Sequence, residues 1–143
     1  MYCESPDHRQ SLITKLDPAS LRQLFGLLAP AGVKILKEPG SGLVMMAVQD
    51  SLGTDFYLGE ILVTEAEAEY RGFKGYAMIM GEEPEKALLA AAVEAIWGSD
   101  HVDLQNSIRE FLTSRGEVLA ARAAKERKLI ARTKVSFETM VKG

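Results

Sequence analysis

The chain of 143 residues contains one cysteine, Cys3, so no internal disulfide can form, in keeping with a reducing compartment. The two histidines, His8 and His101, stand alone, and neither they nor Cys3 fall at a metal-ligand spacing. No apolar run approaches the about 20 residues that a membrane-spanning helix requires. The first residues, M-Y-C-E-S-P-D-H, lack the basic start and apolar centre of an export signal, which makes a cytoplasmic chain with no membrane contact the expectation. A nucleophile elbow, a Walker sequence, a dinucleotide fingerprint and an EF-hand loop are all missing. The residues read alone therefore support no catalysis within this chain, and no cofactor of its own. A nucleic-acid partner is not expected either, because no known module is present and basic residues are not interleaved with aromatic ones.

The remaining composition, 47% hydrophobic and 26% charged, is that of an ordinary globular protein, and the length suits a single domain over 1–143. The net charge of -3 conceals an asymmetry. From Arg115 to Lys142 there are eight basic residues against three acids, a net of +5, so the rest of the chain carries about -8. Such a gradient can steer an anionic ligand or an acidic protein surface toward the C-terminal third.

The most strongly patterned stretch is Asp55 to Gly81. Phe56 to Val63 is β-branched and aromatic, and Glu65 to Tyr70 alternates acid with apolar residue, as a strand with one wet face does. Arg71-Gly72-Phe73-Lys74-Gly75 supplies a reversal and Tyr76 to Met80 a returning strand. On a period of two, Glu60 shares a face with Phe56, Leu58, Leu62 and Thr64. A carboxylate buried in such a row must be paired, hydrogen-bonded or protonated, because desolvating it uncompensated costs several kcal/mol; the plainer reading is an edge residue that reaches solvent or bonds a backbone N–H. Glu60, Thr64 and Tyr76 are thus candidates for contact with a partner or ligand. Glu65, Glu67 and Glu69 share the other face and have no accompanying ligand type, so they read as a solvated row rather than a metal site.

Around this centre, the first ten residues show no periodicity and are expected to be loosely ordered. Asp17-Pro18 starts a helix with the stripe Leu21, Leu24, Phe25 and Leu28. Val33 to Leu36 reads as a short edge strand or an approach to the next element, Glu38 to Gly42 as a turn, and Leu43 to Val48 as a central strand buried on both faces. Acids and Pro84 open a helix through the alanine-rich Lys86 to Trp97, and Gly98 closes it. From about Asp103 to Arg132 the pattern stays helical, with a kink or break expected at Gly116. Its long, thin apolar face predicts packing on another chain, in a homo-oligomer or a hetero-complex, and self-association into a homo-oligomer when the chain is isolated. The final segment, Lys134 to Gly143, alternates and carries Val135, Phe137, Met140 and Val141. It is expected to dock on its own sheet or on a partner, with Phe137, Met140 and Lys142 as contact candidates.

Three blocks in order, F-Y-L-G-E-I-L-V-T-E-A (Phe56 to Ala66), G-Y-A-M-I-M-G (Gly75 to Gly81) and K-V-S-F-E-T-M-V-K-G (Lys134 to Gly143), carry a resemblance to the G subunit of the bacterial carbon-phosphorus lyase core complex, the PhnG family. The resemblance implies phosphonate catabolism, with the H, I and J subunits of that complex as partners, chiefly I. It further implies that G, H and I, with the L subunit, replace the adenine of ATP by a phosphonate, giving α-D-ribose 1-methylphosphonate 5-triphosphate. The J subunit, a radical enzyme with an iron-sulfur cluster and S-adenosylmethionine, then cleaves the carbon-phosphorus bond. For the G subunit it implies an accessory role. The terminal block departs from the family, whose motif tends to be Arg-rich and doubly aromatic, in having Lys134, Lys142 and the single Phe137.

The fold expected from all this is α+β: an antiparallel sheet of about four strands, with a meander and hairpin over 43–80, backed by an N-terminal helix and long C-terminal helices. The accessory-subunit reading competes with a free-standing homo-oligomeric module that binds an anion or nucleotide.

Overall fold

The computed structural model describes residues 5–133. Two short helices, α1 (Pro6–Thr14) and α2 (Pro18–Leu28), lead into three strands, β1 (Lys34–Gln49), β2 (Asp55–Tyr70) and β3 (Phe73–Met80). Two further helices follow, α3 (Pro84–Trp97) and α4 (Val102–Thr133). The sheet is antiparallel in the order β1-β2-β3, so the α+β class holds, with three strands among the described residues rather than about four.

The fourth strand disappears because Glu38 to Gly42 is not a turn. Gly40, Ser41 and Gly42 pair with Glu65, Thr64 and Val63 in extended conformation, and register shifts at Ile35/Lys37 and Lys37/Gly40 absorb Pro39. Proline is tolerated here because β1 is an edge strand whose outer N–H groups have no ladder to serve. One 16-residue strand thus replaces the edge strand and central strand expected separately.

The turn between β2 and β3 matches the sequence reading. Tyr70 pairs with Phe73 across Arg71-Gly72, both at positive φ (51° and 85°), the backbone of a type I′ hairpin whose twist suits the strands. Helix α3 then lies across the face made by Ala66, Ala68 and Tyr70 of β2 and Ala77 and Ile79 of β3. Ala87, Ala90, Ala91, Val93, Ala95 and Ile96 of α3 are all fully buried, so small side chains on both layers set the helix close to the sheet. At Gly75 the approach is closest: a Cβ there would fall inside contact distance of the Ala91 carbonyl oxygen and the Ala95 nitrogen.

Helices α1, α2 and α4 complete the core with Leu12, Ile13, Leu24, Leu28, Ile108 and Leu112. Two expectations change. The first residues are not loose from Ser5 onward: Ser5 caps α1 by accepting from the His8 N–H at 3.2 Å, with Pro6 at its first turn. Arg9, 3% exposed, pays for its own desolvation with a bidentate pair to Glu94 (2.8 and 2.7 Å), and its guanidinium lies 4.4 Å from the centroid of the Trp97 ring. Nor does Gly116 break the last helix, which runs unbroken for 32 residues. Its missing Cβ instead admits Leu12 of α1, whose Cδ2 would lie 3.4 Å from it.

Gly75→Ala forces apart α3 and β3, where the obstacle is backbone, and is expected to lower unfolding free energy by about 3 kcal/mol or more. Gly42→Ala, with nothing within 4 Å and no positive φ, is expected to be neutral or stabilising by up to about 1 kcal/mol. Chemical denaturation of the two variants beside the parent checks both.

Candidate functional site

Strand β3 pairs only with Val63 to Tyr70 of β2. Beyond Val63, β2 back to Asp55 pairs, among the described residues, with β1 alone, so a two-stranded arm runs on past the three-stranded sheet for roughly 26 Å at the usual rise per residue. Every residue from 49 to 60 is exposed. The tip is nonetheless well tied. Asp50 Oδ1 accepts from the Leu52 and Thr54 N–H groups at 2.9 Å each, and Gln49 Nε2 donates to Gly53 O and Asp55 Oδ1.

Several large apolar side chains of the arm are open to solvent. Leu43 (63% exposed), Met45 (60%), Tyr57 (73%) and Leu58 (62%) stand on it, and Met80 lies at its root. Leu43 to Val48 is therefore not a strand buried on both faces: among the described residues no third strand pairs beyond Val63, and the run is exposed or half-buried along its length. The only charges from Gly40 to Leu62 are acids, Asp50, Asp55 and Glu60. So many exposed large apolar side chains on one ribbon are characteristic of an interaction site.

The three candidate residues that fall within the described part lie in different places. Glu60 sits on the arm, opposite Met45 and open to solvent, which resolves the question of a carboxylate in an apolar row. Thr64 is at the arm's root and 2% exposed. Its hydroxyl donates to Gly81 O at 2.6 Å and accepts from the Glu83 N–H at 3.0 Å, fastening the β3–α3 connection to β2. Tyr76 is on the outer face of the sheet, away from α3, in the row of Lys74, Met78 and Met80. Phe137, Met140 and Lys142 lie outside the described residues.

The outer face also holds Glu65, Glu67 and Glu69. Their repulsion is offset by cations across the ladder, since Lys34 and Lys74 oppose Glu69 and Lys37 opposes Glu67. Lys37 reaches Glu65 at 3.0 Å, and that bond raises the Lys37 pKa. Burial raises the Tyr76 phenol above its ordinary range, and the neighbouring Glu65 carboxylate adds to the shift. Among the described residues no group of three or more His, Cys, Asp or Glu side chains is placed to hold a metal ion. No described helix is long and apolar enough to cross a membrane.

Residues that pattern reading missed are positional rather than chemical. Gln10 of α1 donates to Tyr76 O (3.2 Å) and accepts from the Met78 N–H (3.3 Å), covering the outer edge of β3. No local signal announces it, because its partners are 66 and 68 residues away.

The chain matches the family model described as "Phosphonate metabolism protein PhnG" over residues 7–143. It belongs to the PhnG family. No curated protein sequence matches the chain. PhnG membership places it in phosphonate metabolism, and the match spans the arm, both hairpin strands of the sheet centre and the terminal segment.

The Tyr76 phenol is expected to ionise above about 10, its ordinary value. Because its proton is held more tightly in the folded chain, the linked stability is complete at neutral pH and falls as pH rises past the ordinary phenol range. Ultraviolet difference titration of the parent against Tyr76→Phe isolates the group. Glu65→Gln is expected to move its titration downward.

Proposed function

We propose that this PhnG-family chain is an accessory subunit of the carbon-phosphorus lyase core complex. In that role it helps assemble the machinery that makes α-D-ribose 1-methylphosphonate 5-triphosphate from ATP and methylphosphonate, with the H, I and J subunits as its partners, chiefly I. The observation that carries the reading is the exposed apolar arm of a chain whose family works in phosphonate metabolism. A surface of that kind is stable in water only at a cost of about 25 cal/mol per Å² left uncovered, which favours a chain that works in contact with others. The candidate residues suit the same role. Thr64 uses both hydrogen-bonding capacities of its hydroxyl inside the fold, and Glu60 projects to solvent from the arm.

Co-expression with an I-subunit homologue tests the proposal. The tagged chain is expected to retain the I homologue, and Leu43→Lys/Met45→Lys, which alters exposed side chains alone, is expected to weaken that retention by at least about tenfold. Glu60→Gln is expected to leave both assembly and triphosphate formation within about twofold, since no acid-base step is assigned to it. Failure of the two chains to associate contradicts the proposal, and loss of formation in an assembled Glu60→Gln complex contradicts the accessory role.

A further inference from the structure

The three-stranded sheet has several free strand edges, and each is managed differently. The outer edge of β3 is covered by Gln10. The first half of β1 carries Lys34, Lys37, Glu38 and Pro39, residues that discourage pairing. The arm has no such protection: among the described residues nothing pairs with the second edge of β2 from Asp55 to Ile61, in line with the end of β3, and neither lysine nor proline occurs from Gly40 to Leu62. An open edge flanked by Tyr57, Leu58 and Met80 accepts an added strand.

The strand that fits is apolar, alternating, cationic and at least seven residues long. The chain's own C-terminal segment, 134–143, has that composition: Val135, Phe137, Met140 and Val141 among Lys134, Lys142 and the one acid Glu138. It follows the basic end of α4, where Arg127, Lys128 and Arg132 oppose the acids of the arm in sign. Helix α4 packs on α1, α2 and α3, and its residues 124–133 are all exposed. From Leu119, which still packs on the core, to Thr133 the helix runs on for roughly 21 Å.

We propose that residues 134–143 of a second copy add as a strand to the open edge of β2 at Asp55 to Ile61, and that the exchange is reciprocal. Two copies then form a closed pair in which each tail covers the other's arm edge. The apolar faces of the two arms stay available, so the pairing is compatible with further subunits and independent of which ones they are.

The test uses the full chain with Cys3→Ser in two differently tagged forms, one bearing Tyr57→Cys and the other Phe137→Cys, mixed and treated with a short bis-maleimide. The expected product is a cross-linked dimer carrying both tags. Sedimentation supplies the second reading. The chain ending at Thr133, and the full chain with Tyr57→Lys, are each expected to raise the dimer dissociation constant by at least about tenfold. A monomeric full chain at micromolar concentration overturns the proposal. So does a dimer that survives removal of 134–143. In a chain carrying both cysteines, a cross-link formed only within one chain overturns the exchange in the same way.

Discussion

The fold depends on how closely α3 can lie on the hairpin β2–β3. Alanines on the helix meet alanines on the strands, and at Gly75 the helix backbone occupies the space a side chain would need. Small residues bury little area each, about 0.8 kcal/mol per CH₂. Their value here is distance, because a close helix covers the sheet completely with few side chains. The same economy limits the reach of the cover. Helix α3 shelters the three-stranded part of the sheet, and where β3 ends at Met80 the arm continues without it.

That boundary divides the chain into a part that satisfies itself and a part that does not. In the first, polar groups find partners inside the fold: Arg9 with Glu94, Tyr70 OH with His101 Nδ1 at 2.7 Å, Gln105 with the carbonyls of Ile96, Trp97 and Ser99, and Thr64 with the ends of the β3–α3 connection. In the arm, beside the β1–β2 ladder, the side-chain hydrogen bonds among the described residues gather at the tip. Its apolar side chains face water on a ribbon of two strands, an arrangement of marginal stability unless something packs on it. A subunit whose work is contact with other chains is built from such a division.

Much of this was legible from the residues, for reasons that differ by element. The β2–β3 hairpin announces itself because alternation and a glycine turn are local signals, and α3 because proline, acids and alanines coincide. Glu60 stood out correctly as the one charge in an apolar row, but its environment depended on where β3 stopped, which no local pattern states. Leu43 to Val48 misled for the same reason: a run without polar residues looks like a buried strand, whether the burial comes from its own fold or from another chain. Gly40-Gly42 and Gly116 misled in the opposite direction. Glycine there serves an extended strand and a close helix contact, not a turn or a break. The Arg9–Glu94 pair and the Gln10 edge cover join residues far apart in sequence, beyond what periodicity reports.

The central claim is that, among the described residues, β2 is paired on both edges from Val63 onward and on one edge along the arm. Amide hydrogen exchange followed by mass spectrometry, across a dilution series, tests it most directly. Peptides over 63–70 are expected to exchange slowly at every concentration, while peptides over 55–61 exchange rapidly in the dilute chain and slow as other chains become available to cover them. Protection over 55–61 equal to that over 63–70 in the dilute monomer would contradict the account.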